Sequence, residues 1–165
     1  MSLPTLPDPE KPTSDVLSTL GDVLFLAMRS KSHSQRSLET LRWWWEPPAH
    51  LKQVWVFKID GVPRAAVCWA MLNEDSQHRY VVDRTGLKPQ DWRNGDIPWV
   101  IDILTPYKRH KLENKVIRWI MESGFKGQPF RFMRMDDDGN IRRIAEARAR
   151  SDGGKDFKLL QLEQL

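Results

Sequence analysis

The order of elements read from the sequence predicts an α+β domain built on one mostly antiparallel sheet flanked by helices: two helical stretches, three strands, a helix and a closing hairpin. Three observations carry this. Apolar residues recur at helical spacing near the N-terminus, β-type runs broken by turn residues come next, and helical spacing returns after residue 108.

Residues 1–13 hold four prolines and read as a flexible N-terminal arm. Ser14 or Asp15 is placed to cap a helix over Val16–Met28, with Leu17, Leu20, Leu24 and Ala27/Met28 as its apolar stripe. The polar break "RSKSHSQ" comes directly after it. A short helix over Leu38–Trp45 is expected to stop at "EPP", because proline cannot continue it.

"QVWVFKI", then "DG", then "AAVCWAML" reads as a β-hairpin, and "RYVVD" as a short strand. "PWVIDIL" (98–104) is a strand in which Asp102 shares a face with Val100 and Leu104. A carboxylate among such neighbours costs roughly several kcal/mol unless something pairs with it. From Arg109 to Glu122 the pattern is helical, gathering Leu112, Val116, Trp119 and Ile120. "PFRFMRM", "DDDGN" and "IRRIAEARA" suggest a second hairpin, although the last segment also reads as a helix. The organisation expected is one domain over 14–150 and a C-terminal tail over 151–165.

Composition narrows the function. Eight tryptophans in 165 residues imply large buried aromatic surface or a groove lined with it. The single Cys68 excludes an internal disulfide and a cysteine zinc cluster, which suits a cytoplasmic location. No apolar run reaches the length of a membrane span, and the N-terminus lacks the order of a signal peptide. The net charge of +4 is unevenly placed: residues 108–150 hold twelve lysines and arginines against six acids. Such a block can meet an acidic protein or another anionic surface, or simply be a solvated face.

Of the four histidines, His33 lies in the polar break directly after an amphipathic helix, a place for a general base and equally for an ordinary surface residue. Asp102 likewise reads as a catalytic partner or as a structural carboxylate held by backbone N–H groups or an arginine. Phosphate-binding loops, dinucleotide fingerprints, nucleophile elbows and zinc-protease motifs are all missing from the sequence. Chemistry here would run through acid–base help and positioning. Cys68, beside Trp69 in an apolar strand, reads as core with its thiol raised by burial.

Spread along the chain are "LGDV" (20–23), the S-x-x-H of Ser30 to His33, "CWAML" (68–72), "DWRNGD" (91–96), Trp99 with Asp102, and "TPY" (105–107). With these the sequence resembles the toxin-activating lysine-acyltransferases, the HlyC-like family that acylates RTX protoxins. Tyr107 and Lys108 stand where that family usually has Phe and Gly.

The resemblance implies a GNAT-like acyltransferase fold, with a splayed sheet that admits an acyl-thioester arm. It implies His33 and Asp102 as the catalytic pair. Ser30, Trp69, Trp99 and Tyr107 would line the substrate site, Ser30 also hydrogen bonding near the pair. The donor implied is acyl-acyl carrier protein, its phosphopantetheine thioester being a substrate, with no tightly bound cofactor and no metal. Lys108, Arg109 and Lys111 are the expected carrier-protein docking face. The acceptor implied is an RTX protoxin, and the family suggests a homodimer, without nucleic-acid binding or stable membrane insertion. The rivals are a GNAT-like acyltransferase for another amine and a basic, non-catalytic binding module.

Overall fold

The computed structural model describes residues 7–107, 111–136 and 140–165. Among them the fold is mixed α+β, with four α-helices and one six-stranded, mostly antiparallel sheet in the order β1 to β6, the GNAT-like arrangement expected. The chain divides into two compact units, one of residues 1–68 and 102–107, the other of residues 69–101 and 108–165. Among the described residues no helix is long and apolar enough to cross a membrane.

In the first unit, α1 (Ser14–Ala27) is capped by Thr13, whose hydroxyl accepts from the Val16 N–H. Its buried residues are Val16, Val23, Leu26 and Ala27, whereas Leu17, Leu24 and Met28 are exposed. The helix is thus rotated from the stripe expected, because the polar residues between these positions leave two apolar arcs open. Helix α2 (Leu38–His50) is capped by Ser37 and continues through Pro47 and Pro48 instead of stopping at Trp45. Proline forfeits its own N–H but keeps a helical φ, and its carbonyl still accepts: Leu51 N–H bonds to Pro47 O and Gln53 N–H to Pro48 O. Strands β1 (Val54–Ile59) and β2 (Val62–Leu72) form the predicted hairpin. Asp60 and Gly61 both have positive φ, the geometry a two-residue turn of this hand requires.

In the second unit, α3 (Glu74–His78) starts in a capping box at Asn73, and "RYVVD" prolongs it as a wide helical turn over Arg79–Asp83. The strand expected there does not form. The Asn73 cap commits the residues C-terminal to it to helix, and Arg79 is held by the buried Asp91 through two bonds of 2.8 and 3.0 Å. Strand β3 (Ile97–Leu104), whose residues from Asp102 on belong to the first unit, pairs in parallel with β4 (Phe130–Met135) at Trp99 and Arg131 and at Val100 and Phe132. Helix α4 (Leu112–Trp119) runs on as a wide turn to Gly124 and buries Val116, Ile120 and Met121, while Trp119 is exposed. Strand β5 (Ile141–Ala149) is a strand and not a helix, because "IRRIAEARA" is stitched to β4 on one side and to β6 on the other. The stretch read as a tail carries β6 (Lys155–Leu160), whose exposed Phe157 and Leu159 hide the alternation of an edge strand.

Candidate active site

The candidate site lies within the first unit. After α1 the backbone continues as successive turns: Ser30 N–H bonds to Ala27 O, Ser34 N–H to Ser30 O, and Arg36 N–H to His33 O. A tightly turning backbone brings every third residue to one side, so Ser30, His33 and Arg36 line up. Opposite them stands Asp102 of β3.

His33 Nε2 lies 2.9 Å from Asp102 Oδ2 and 3.1 Å from Oδ1. Arg36 Nη1 donates to the same Oδ2 at 3.0 Å, and the Ile103 N–H donates to Oδ1 at 2.9 Å. On the other edge of the imidazole, Ser30 Oγ is 2.7 Å and Ser32 Oγ 3.2 Å from Nδ1. The His33 side chain is 6% exposed, Asp102 15% and Arg36 29%. The constellation is therefore enclosed at its centre and open towards the arginine.

Burial by itself would raise the Asp102 carboxyl. The hydrogen bond and charge of His33, with those of Arg36, outweigh it and hold the group below the ordinary aspartate value. An ionised carboxylate only accepts. Nε2 therefore carries the proton it shares with Asp102, and the lone pair of a neutral His33 sits on Nδ1, where Ser30 must donate its O–H. The array can take up a proton on Nδ1 while Asp102 compensates the charge.

Cys68 is fully buried, and burial, reinforced by the Asp102 charge, pushes its thiol well above the ordinary range. It is core, as expected. Tyr107 faces the Arg64 guanidinium at 5.1 Å. In the second unit Trp99 is fully buried; its Nε1 donates to Gln77 Oε1 at 3.0 Å and its ring meets Tyr80 edge-on. Trp69 packs edge-on against Phe125. Lys111, with φ of 52°, is exposed at the start of α4, and Lys108 and Arg109 lie outside the described residues. Among the described residues no three His, Cys, Asp or Glu side chains gather to hold a metal ion.

Sequence reasoning missed Arg36. Its signal was the spacing of three in Ser30, His33 and Arg36, visible only once the break is known to turn tightly. The "DWRNGD" stretch proves to be a clamp. Asp91 accepts from Arg79, from the Lys88 N–H and from Asn94, while the Asn94 and Gly95 N–H groups both bond to Met71 O. A Cβ on Gly95 would lie 2.2 Å from the Asn73 nitrogen, so only glycine fits.

A family model described as the RTX toxin acyltransferase family matches residues 12–148. The chain is 30% identical over 141 residues to a protein-lysine myristoyltransferase of Kingella kingae, covering 86% of this chain and 82% of that one. It is 31% identical over 127 residues to an RTX-I toxin-activating lysine-acyltransferase of Actinobacillus pleuropneumoniae, covering 77% and 72%. Against a protein-lysine palmitoyltransferase of Bordetella bronchiseptica it is 28% identical over 140 residues, covering 85% and 74%.

Proposed function

The chain belongs to the RTX toxin acyltransferase family, a family of lysine-acylating enzymes, and from that premise we propose that it moves a fatty acyl group from acyl-acyl carrier protein to internal lysines of an RTX-type protoxin. The observation that carries the mechanism is the 2.9 Å contact between His33 Nε2 and Asp102, with Ser30 on the opposite nitrogen.

A lysine side chain has a pKa of about 10 and must lose a proton before it can attack. The free amine adds to the thioester carbonyl, forming the C–N bond and a tetrahedral centre. The second amine proton passes through the Ser30 hydroxyl to His33 Nδ1, and Asp102 compensates the imidazolium. Collapse of the centre breaks the C–S bond, and the pantetheine sulfur leaves with the proton that His33 held. The amide, the free thiol and the first ammonium proton, released to solvent before attack, account for every atom, and no enzyme-bound acyl group is needed.

His33 and Arg36 together hold Asp102 ionised, and an ionised carboxylate at Nε2 leaves Nδ1 as the basic nitrogen. A second reading, an acyl group carried on Ser30, draws on the same 2.7 Å contact with Nδ1. It would leave the acyl mass on the peptide that holds Ser30. Cytoplasmic residence and a homodimer complete the proposal, and light scattering on the purified protein tests the dimer.

The deciding experiment incubates the protein with acyl-carrier protein and an RTX protoxin and reads the masses of the lysine peptides. His33→Ala should cut the transfer rate by about 10²–10⁴ while the protein stays folded. Transfer at the wild-type rate by a folded His33→Ala protein would remove the base from the scheme.

A further inference from the structure

The second unit carries a group of arginines that the acyl-transfer chemistry leaves unused. In the antiparallel ladder of β4 and β5, Arg134 stands directly opposite Arg143. Like charges so placed repel and weaken the sheet. The ladder then shifts register, Met135 pairing with Ile141, which makes Arg142 the extra residue of a bulge. A bulge breaks the alternation of side chains and re-aims one of them. Arg142 here joins Arg134 and Arg143 around an open hollow of about 500 Å³.

Of the five residues lining that hollow, three are arginine and one, Glu113, is acidic. Glu113 lies 3.6 Å from Arg134 with both side chains more than half exposed. A pair that exposed is worth about 0–1 kcal/mol, too little to offset three guanidiniums. Arg84 adds another guanidinium, its Nη2 lying 3.3 Å from the sulfur of Met135, the fifth lining residue. Beside the charges lies apolar surface. Arg143 sits 5.9 Å over the ring of Phe157, and Phe157 and Leu159 are both at least half exposed. Guanidiniums next to exposed aromatic and aliphatic side chains are the makeup of a protein interface more than of a small-anion pocket.

We propose that this patch on β4, β5 and β6 is the docking surface for an acidic protein, the carrier that delivers the acyl group; the proposal rests on the donor assigned above. It places the docking contact on Arg134, Arg142 and Arg143. The acidic partner adds counter-charge to the Arg134–Arg143 pair beyond the exposed Glu113, and its association is steered by charge and weakened by salt.

The test measures binding of holo-carrier protein to the full-length chain at about 0.05 M and about 0.5 M salt. It also measures the KM for acyl-carrier protein, and the rate with a soluble acyl-pantetheine thioester that has no protein attached. Wild type should bind more weakly at high salt. Arg142→Glu with Arg143→Glu, and the milder Arg142→Gln with Arg143→Gln, should raise Kd and KM by about tenfold or more for reversal. The acyl-pantetheine rate should stay within about twofold, since the chemistry is untouched.

Salt-insensitive binding by wild type overturns the proposal without any variant. So do equal losses with both donors, or a raised KM for the protoxin in place of the donor. Transfer from acyl-carrier protein that ignores the arginine changes overturns the docking surface alone. Transfer from acyl-coenzyme A with no carrier binding overturns the donor assignment as well.

Discussion

Arg36 Nη1 lies 3.0 Å from Asp102 Oδ2, the oxygen that His33 Nε2 approaches to 2.9 Å. One carboxylate thus serves two cations whenever His33 is protonated. His33 and, to a lesser degree, Arg36 hold the carboxylate below its ordinary value, while the histidine alone is positioned to exchange protons.

Asp102→Asn should separate this role from scaffolding. Asn keeps the shape and one acceptor but loses the charge that stabilises the imidazolium. Activity should fall by orders of magnitude with a shift of only a few degrees in Tm. His33→Ala with Asp102→Asn should be scarcely slower than the worse single variant, because the two act as a unit. Additive losses in folded proteins would mean that they act separately.

Ser30→Ala removes the hydroxyl that caps Nδ1. If the hydroxyl relays a proton, water can enter in its place, and the rate should drop by about 10–10² and recover in Ser30→Thr. The pH–rate profile of Ser30→Ala should shift, which loss of packing alone would not do. Complete inactivity, together with acyl mass on Ser30 in the wild type, would establish the covalent route instead.

Asp102 also sets an acid limit. An aspartate in an unfolded chain titrates near pH 3.9, and Asp102 is held below its ordinary value in the fold. Its contribution to stability is therefore present above about pH 3.9 and is lost as pH falls through the folded value. This one proton can remove up to about 1.4 kcal/mol per pH unit in that window. Denaturant titrations of wild type and Asp102→Asn at about pH 6 and about pH 3 should show the gap between them narrowing in acid. A gap that is constant, or widens in acid, would contradict the depressed value.

Gly95→Ala tests the clamp. The added carbon meets backbone atoms, the Asn73 nitrogen at 2.2 Å and the Leu72 carbonyl carbon at 2.3 Å, which cannot swing away as a side chain could. The loss should be at least about 3 kcal/mol, read as a large drop in Tm or as insoluble protein. A stable Gly95→Ala protein would show that these segments approach each other less closely than 2.2 Å to a Cβ implies.

Legibility in the sequence tracked how local each cause was. The β1–β2 hairpin was readable because Asp60 and Gly61 suit their positive φ values. Asp102 stood out because a carboxylate in an apolar strand needs a partner. Its partnership with His33 came through the family resemblance, since a separation of 69 residues leaves no local trace. Arg36 was missed for the same reason. "RYVVD" deceived because its β-branched residues favour a strand, while the Asn73 cap and the Arg79–Asp91 pair, whose deciding partners lie outside the run, fix it as helix. Strand β6 escaped notice because an edge strand with exposed Phe157 and Leu159 shows no inward alternation.

The distance along the chain between the loop and its aspartate has a consequence in time. Arg36 and His33 reach Asp102 across 66 and 69 residues. A nascent chain extended only to Asp60 already holds Ser30, His33 and Arg36 but not the Asp102 carboxylate that His33 and Arg36 meet in the fold. Closing so long a loop is entropically slow and waits for the strands that end it. On the proposed mechanism the chain cannot turn over until Asp102 is made and reached, and in refolding the return of turnover should lag behind the return of helical signal.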